Sequence, residues 1–360
     1  MRQVIKIAIA AATAATLTLA GCAGTPAAPT PEPTDTGAAP TTTAPEPAEK
    51  IKVGMAFDVG GRGDQSFNDS AAAGLDKAAA EFGVEAKDVA ATAGEAESVR
   101  EERLQQLIDA GFDNIVAVGF AYAASVGKVA AANPDVKFAI VDDASEASTA
   151  PNVMNITFAE HEGSFLVGAA AALKSETGHI GYVGGVQTPL IERFQAGYEA
   201  GAKAVNPDIK IDVNYLTQPP DFSGFGDPAK GETAAKAMFD AGADIVYHAA
   251  GGSGGGVFNA AKAAGKSAIG VDSDQALTAA EDVRDVIITS MIKRVDVGVY
   301  TFIKSIHDGT FKAGETVFDL KADGVGYSTT GDKIADIVPK LEEFKEQIIA
   351  GSITVPSTVS

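Results

Sequence analysis

The sequence predicts an α/β protein built as two Rossmann-like lobes with a ligand cleft between them. Three observations carry this. From Ile51 onward, short β-rich runs alternate with Ala-rich helical runs. The strands are near-continuous apolar runs, as in parallel sheets covered on both faces. The pattern also repeats in two halves, each opening with a strand and a helix-start loop that carries distinctive residues. About eight strands would fit a single large barrel too, so the alternation alone leaves that alternative open.

The elements justify themselves in chain order. Arg2 and Lys6 precede the apolar run "IAIAAATAATLTLA", which is too short and Ala-rich for a membrane-spanning helix. It ends in "LAGC", Leu19 to Cys22, matching the lipobox of bacterial lipoproteins. There the cysteine is acylated and the signal is cut just before it. Cys22 is the only cysteine of the chain, so no internal disulfide framework is available. Residues 23–49 hold seven of the sixteen prolines and no large apolar side chain. Such a segment cannot bury enough surface to offset its chain entropy and reads as a disordered tether reaching roughly 50–80 Å. The net charge of −20 over 360 residues disfavours nucleic acid and anionic lipid as partners, so membrane attachment falls to Cys22.

In the folded part the strands are "IKVGMAFD", "NIVAVG", "KFAIVD", "HIGYVG", "KIDVNYL", "ADIVYHA", "SAIGVD" and "VIITSM". Between most of them lie helices such as "SVREERLQQLIDAG", "YAASVGKVAAANP" and "LIERFQAGYEAGAKAVNP", with Gly or Asn-Pro at their ends. In open α/β sheets, ligands bind beyond the carboxyl ends of the strands. Asp58, Asp142, Asp143, Asp272 and Asp274 all stand at strand ends, where a single Asp would ordinarily be a helix cap. Phe67 and Asn68 follow the first strand, ahead of a helix expected from about Ser70. A ring there is either a staple on its own helix or a ligand-facing group. The glycine run Gly251 to Gly256 lacks the Gly-Lys-Ser/Thr ending of a phosphate loop and suits close backbone approach to a neutral ligand. The four histidines are scattered without metal-ligand spacing, and no nucleophile elbow or acid/base pair is visible. Glu160 and Glu162 read as acids complementing a helix dipole. No cofactor, metal or catalytic group is expected.

Together the motifs "GDQSFNDSAAAGL", "VDDA", "FAEHEGSFLVGAAAA", "GFGDPAKGETAA", "DIVYHAAGGSGGGVF", "AIGVDSDQ" and "TSMIKRVDVGVY" resemble the basic membrane protein family. These are purine-nucleoside-receptor lipoproteins that serve ABC transporters. The resemblance spans nearly all of residues 51–350. It implies the type I periplasmic-binding-protein fold, with three crossing segments between lobes that close over a nucleoside such as adenosine, guanosine or inosine. It implies no enzyme activity, and an ABC permease as partner. By motif, Phe67 is one ring of a base clamp and Phe225 the other, with Phe222 as a rival. Asp58 and Asp142 match base-edge carboxylates, and Asn68 a ligand contact. Asp272 and Lys293 match ribose readers, and Gly251 and Gly252 the sugar-side glycines. Gln65 departs from the family, which often has a second acid there. A pentose receptor of the same fold and a surface sensor without transport remain as alternatives. The expected division is a signal peptide over 1–21, a lipidated linker over 22–49, a first lobe of 50–155 with 273–305, and a second of 156–272 with 306–360. Hinges are expected near Asn155, Asp272 and Ser305.

Overall fold

A computed structural model describes residues 50–359. Cys22, the signal segment and the Pro-rich linker lie outside the described residues. The chain first lays down β1 (Lys52–Phe57), α1 (Phe67–Phe82), β2 (Glu85–Ala90), α2 (Glu97–Asp109), β3 (Asn114–Val118), α3 (Ala123–Ala132), β4 (Lys137–Val141) and β5 (Val153–Phe158). It continues with α4 (Glu160–Lys174), β6 (His179–Val186), α5 (Pro189–Val205), β7 (Lys210–Thr217), α6 (Pro228–Asp240), β8 (Ile245–Ala249) and α7 (Gly254–Ala264). Then come β9 (Ser267–Asp272), α8 (Gln275–Thr278), β10 (Ile287–Lys293), α9 (Val295–His307), β11 (Gly314–Phe318), β12 (Val325–Tyr327) and α10 (Val338–Ile349).

The strands form two six-stranded sheets, which rules out the single barrel. The first runs β11-β5-β4-β3-β1-β2 and is wholly parallel. The second runs β12-β10-β9-β8-β6-β7, with only β12 antiparallel. Both repeat one doubly wound order, in which β1, β3 and β4 correspond to β6, β8 and β9. The switch point of such a sheet, where its strand order reverses, opens a crevice at the carboxyl edge. It lies between β1 and β3 in one lobe and between β6 and β8 in the other. The central strands are buried along almost their whole length, as their apolar runs require.

Lobe membership differs from the sequence expectation. Strand β10 belongs to the second lobe because it pairs with β9, and β11 belongs to the first because it pairs with β5. Helix α9 packs on α1 of the first lobe. The chain therefore crosses between sheets at Ala159, at Arg294 and over residues 319–324. The expected points at Asn155, Asp272 and Ser305 instead lie inside β5, at the last residue of β9 and inside α9. The crossings are tied together. The Ala159 amide donates to the Phe318 carbonyl at 3.0 Å, and the Arg294 amide to the Gly324 carbonyl at 2.9 Å. Gly324 is required by this closeness, since a Cβ there would sit 2.3 Å from that of Phe318.

Candidate ligand cleft

The carboxyl ends of both sheets face one another across a cavity lined from both lobes. Asp58, Phe67, Asn68 and Asp142 reach it from the first lobe, and Phe225, Gly251, Asp272 and Lys293 from the second. Gly252 does not line it. Lining residues with no warning in the sequence are Leu190, Ile191 and Phe194 at the start of α5, where the helix periodicity reads as ordinary core. Phe120 lines it too. Its signal was available, since it follows the end of β3 as Phe67 follows β1.

The loop after β1 is built by its own side chains. Helix α1 begins at Phe67, three residues earlier than expected, because Asp64 caps it. The Asp64 carboxylate accepts from the amides of Ser66, Asn68 and Asp69 at 3.0, 2.8 and 3.0 Å. Phe67 is thereby the first helical residue and is held on the cavity wall. The Asn68 amide is largely committed to the loop. Its Oδ1 accepts from the Asp58 amide at 3.1 Å, and its Nδ2 donates to Asp64 at 3.0 Å. Asn68 therefore orients Asp58. Gly119 is needed at the end of β3, where φ is +106° and a Cβ would lie 2.6 Å from Asp58 Oδ2.

Asp142 and Asp272 occupy corresponding positions, at the ends of β4 and β9. Both take the left-handed conformation, with φ of 69° and 62°. Each costs on the order of 1 kcal/mol for a non-glycine residue, a strain that clusters at functional sites. Asp142 accepts from Lys293 Nζ at 2.5 Å, and its other oxygen is buried without a hydrogen-bond partner among the described residues. Asp272 accepts from the Ser66 hydroxyl at 2.6 Å. The Lys293 ammonium sits among the rings of Phe67, Phe158 and Phe194, at 5.0, 5.1 and 5.5 Å from their centroids.

Burial dominates the electrostatics. It pushes the Asp58 and Asp272 carboxyls up to about 6 and raises Asp142 against the pull of Lys293. Burial also works against the Lys293 ammonium, but Asp142, Glu160 and Asp272 outweigh it and hold its pKa above the usual lysine value.

The lobes meet at the cleft rim. The Gln65 carbonyl accepts from Gln275 Nε2 at 3.0 Å and from the Thr278 hydroxyl at 3.2 Å, and Ser273 Oγ donates to the Ser66 carbonyl at 3.1 Å. Phe222, the rival for the second ring, lies outside the cavity lining. It packs edge-on to Phe120 at 5.9 Å and against the Arg100 guanidinium. Phe225 is the ring that faces the cavity, in space left by Gly185, where a Cβ would meet the ring at 2.5 Å.

Two mirrored sheets clasping one polar and aromatic cavity are the architecture of a solute receptor, and the comparisons agree. Residues 51–359 match the Bmp family, described as "ABC transporter substrate-binding protein PnrA-like". The chain belongs to this family. It is similar to the "ABC transporter nucleoside-binding protein BmpA" of Lactococcus lactis, 36% identical over 85% of this chain and 89% of that one. It is also similar to an "Uncharacterized lipoprotein" of Pyrococcus abyssi, 37% identical over 78% of this chain and 69% of that one. Among solved structures, a solute-binding protein of an ABC transporter system from Aeropyrum pernix superposes with a TM-score of 0.74 at 32% identity, covering 86% of this chain and 94% of that one. The fold is thus the type I solute-binding fold. This substrate-binding protein serves an ABC transporter and is not an enzyme.

Proposed function

We propose that the cleft captures a nucleoside, of the purine class, and that the chain delivers it to an ABC permease while tethered to the extracytoplasmic membrane face by lipid on Cys22. The observation that carries the ligand class is the wall composition: Phe67 and Phe225 line one cavity from opposite lobes, among carboxylates. Flat rings suit a base, because every base offers a π-face for stacking. Asp58 and Asp142 are the candidates for the N–H donors of the base edge. Asp272 and Lys293 are those for the ribose hydroxyls, the carboxylate accepting and the ammonium donating. Gly251 is the proposed sugar-side backbone.

Charge argues against a phosphorylated ligand. Asp58, Asp142 and Asp272 outnumber Lys293 on the cavity wall, so a 5′-phosphate would enter against the local field. The Lactococcus relative's name supports the nucleoside class, and the Pyrococcus relative's name supports the lipid anchor suggested by "LAGC". Mass spectrometry of small molecules released from the purified protein tests the ligand class. A purine nucleoside is expected, and recovery of a free pentose or a nucleotide instead would overturn the reading.

A further inference from the structure

Glu160 is a buried carboxylate with no part in the cavity lining. It is 1% exposed, and its Oε2 has no hydrogen-bond partner among the described residues. Complementing a helix N-terminus does not call for such burial, and acids are rarely buried unless paired. A buried acid needs cations beside it, and the Arg193 guanidinium stands 3.7 Å from the Glu160 Oε2. Its Oε1 stands 3.5 Å from Lys293 Nζ.

The chain path gives that distance a meaning. Glu160 opens α4 one residue past the crossing at Ala159, and Lys293 ends β10 one residue before the crossing at Arg294. Helix α4 packs on α5, β10 and β12, so Glu160 and Lys293 belong to the same lobe. Asp142, which takes the Lys293 hydrogen bond, stands at the end of β4 in the other lobe. If the cleft opens about the crossings, Asp142 moves away from Lys293 while Glu160 stays. A lysine left without counter-charge in an apolar setting loses its proton or turns away toward water.

We propose that Glu160 is a positioning residue of the ligand site: it is the ion-paired counter-charge of Lys293 within its own lobe, where Asp272 of β9 acts on the ammonium only at longer range, and it keeps the ammonium charged and aimed into the cleft before a ligand arrives, while Asp142 is the partner gained on closure. The inference rests on the reading of the cavity as a nucleoside cleft. Burial pushes the Glu160 carboxyl up to about 7, with the Lys293 charge as the largest opposing influence. The charged and titratable groups around it are Lys293 of β10, Asp142 beyond β4, Arg193 of α5 with Nη1 at 3.7 Å, and Tyr247 of β8. Glu160 thus acts through Lys293 and touches no ligand itself.

The test uses Glu160→Gln with two readouts. The first is the Lys293 side-chain titration, followed by nuclear magnetic resonance in the ligand-free protein. The second is calorimetric affinity for adenosine and for free adenine. The proposal expects a lower Lys293 pKa in the variant and an affinity for adenosine weaker by about tenfold or more, the scale of a lost charge-assisted contact. Adenine binding should be unchanged. An unaltered Lys293 titration overturns the proposal, as does wild-type adenosine affinity. Should Glu160→Gln fail to fold, Glu160→Asp withdraws the same charge by one methylene; a partial drop in both readouts supports the proposal and no change in either overturns it. Failure of wild-type protein to bind any nucleoside would sink the functional reading, while the Lys293 titration would still decide the role of Glu160.

Discussion

Phe67 shows how much one residue's setting decides. Its side chain begins a helix capped by Asp64, faces the cavity and lies 5.0 Å from the Lys293 ammonium. Stacking reads the face of a base and not its edge. Phe67→Ala should therefore weaken all nucleosides by a similar factor, about 1–3 kcal/mol or roughly 5–150-fold. Calorimetric titration with adenosine, guanosine, inosine and cytidine checks this, and unchanged affinities would return Phe67 to the role of a packing residue. The carboxylates give a pH signature. Asp58 and Asp272 keep their protons to about pH 6 in the folded chain but lose them near 4 when unfolded. In that window the folded state binds more protons. The stabilising contribution is therefore complete below about pH 4 and lost as pH rises through about 6. Urea denaturation of the ligand-free protein from pH 4 to 8 should show this loss, and the Asp58→Asn, Asp272→Asn double variant should flatten it. A double variant with the wild-type slope would contradict the burial argument.

At the scale of elements, what the sequence revealed and what it hid have one physical cause. Buried strands such as β3, β4, β6 and β8 were legible because burial on both faces demands apolar runs. Strand β2, "EAKDVA", is an exposed edge, and β11, "GETVF", another. Their pairing comes from the backbone, so composition does not announce them. The strand-end carboxylates were visible through their position, whereas Phe194 was hidden in an ordinary helical stripe. Glu160 was masked by its place at a helix start, where a surface acid is the default. The rim between α8 and the loop after β1 was also silent, since hydrogen bonds to the Gln65 carbonyl leave no pattern. Gln275 is held for that contact, its Oε1 accepting from the Val271 amide at 2.9 Å and lying 3.0 Å from His248 Nε2. Gln275→Ala should lower nucleoside affinity by about 0.5–1.5 kcal/mol through a less favourable closure, without changing the order of preference among bases. Calorimetry across the same nucleosides checks both parts; a reordered preference would place Gln275 at the ligand instead.

For the whole molecule, the two lobes, three crossings and a cleft lined from both sides are the parts from which hinge closure is built, and closure over the ligand is the expected behaviour. A ligand touching both lobes binds the closed form better and shifts the population toward it. The Pro-rich segment and Cys22 would hold this receptor at a membrane. Replacing Cys22 with Ser should move the protein from the membrane fraction to the soluble one, since no described helix is long and apolar enough to cross a membrane. Retention of the variant in membranes after a high-salt wash would contradict the anchor. The measurement that most directly tests the central claim is a calorimetric comparison of adenosine, ribose and adenosine 5′-monophosphate on the wild-type protein. Stacking rings among uncompensated carboxylates predict that adenosine binds tightest, ribose negligibly and the monophosphate much more weakly than the nucleoside. Ribose or the monophosphate binding as tightly as adenosine would contradict the account.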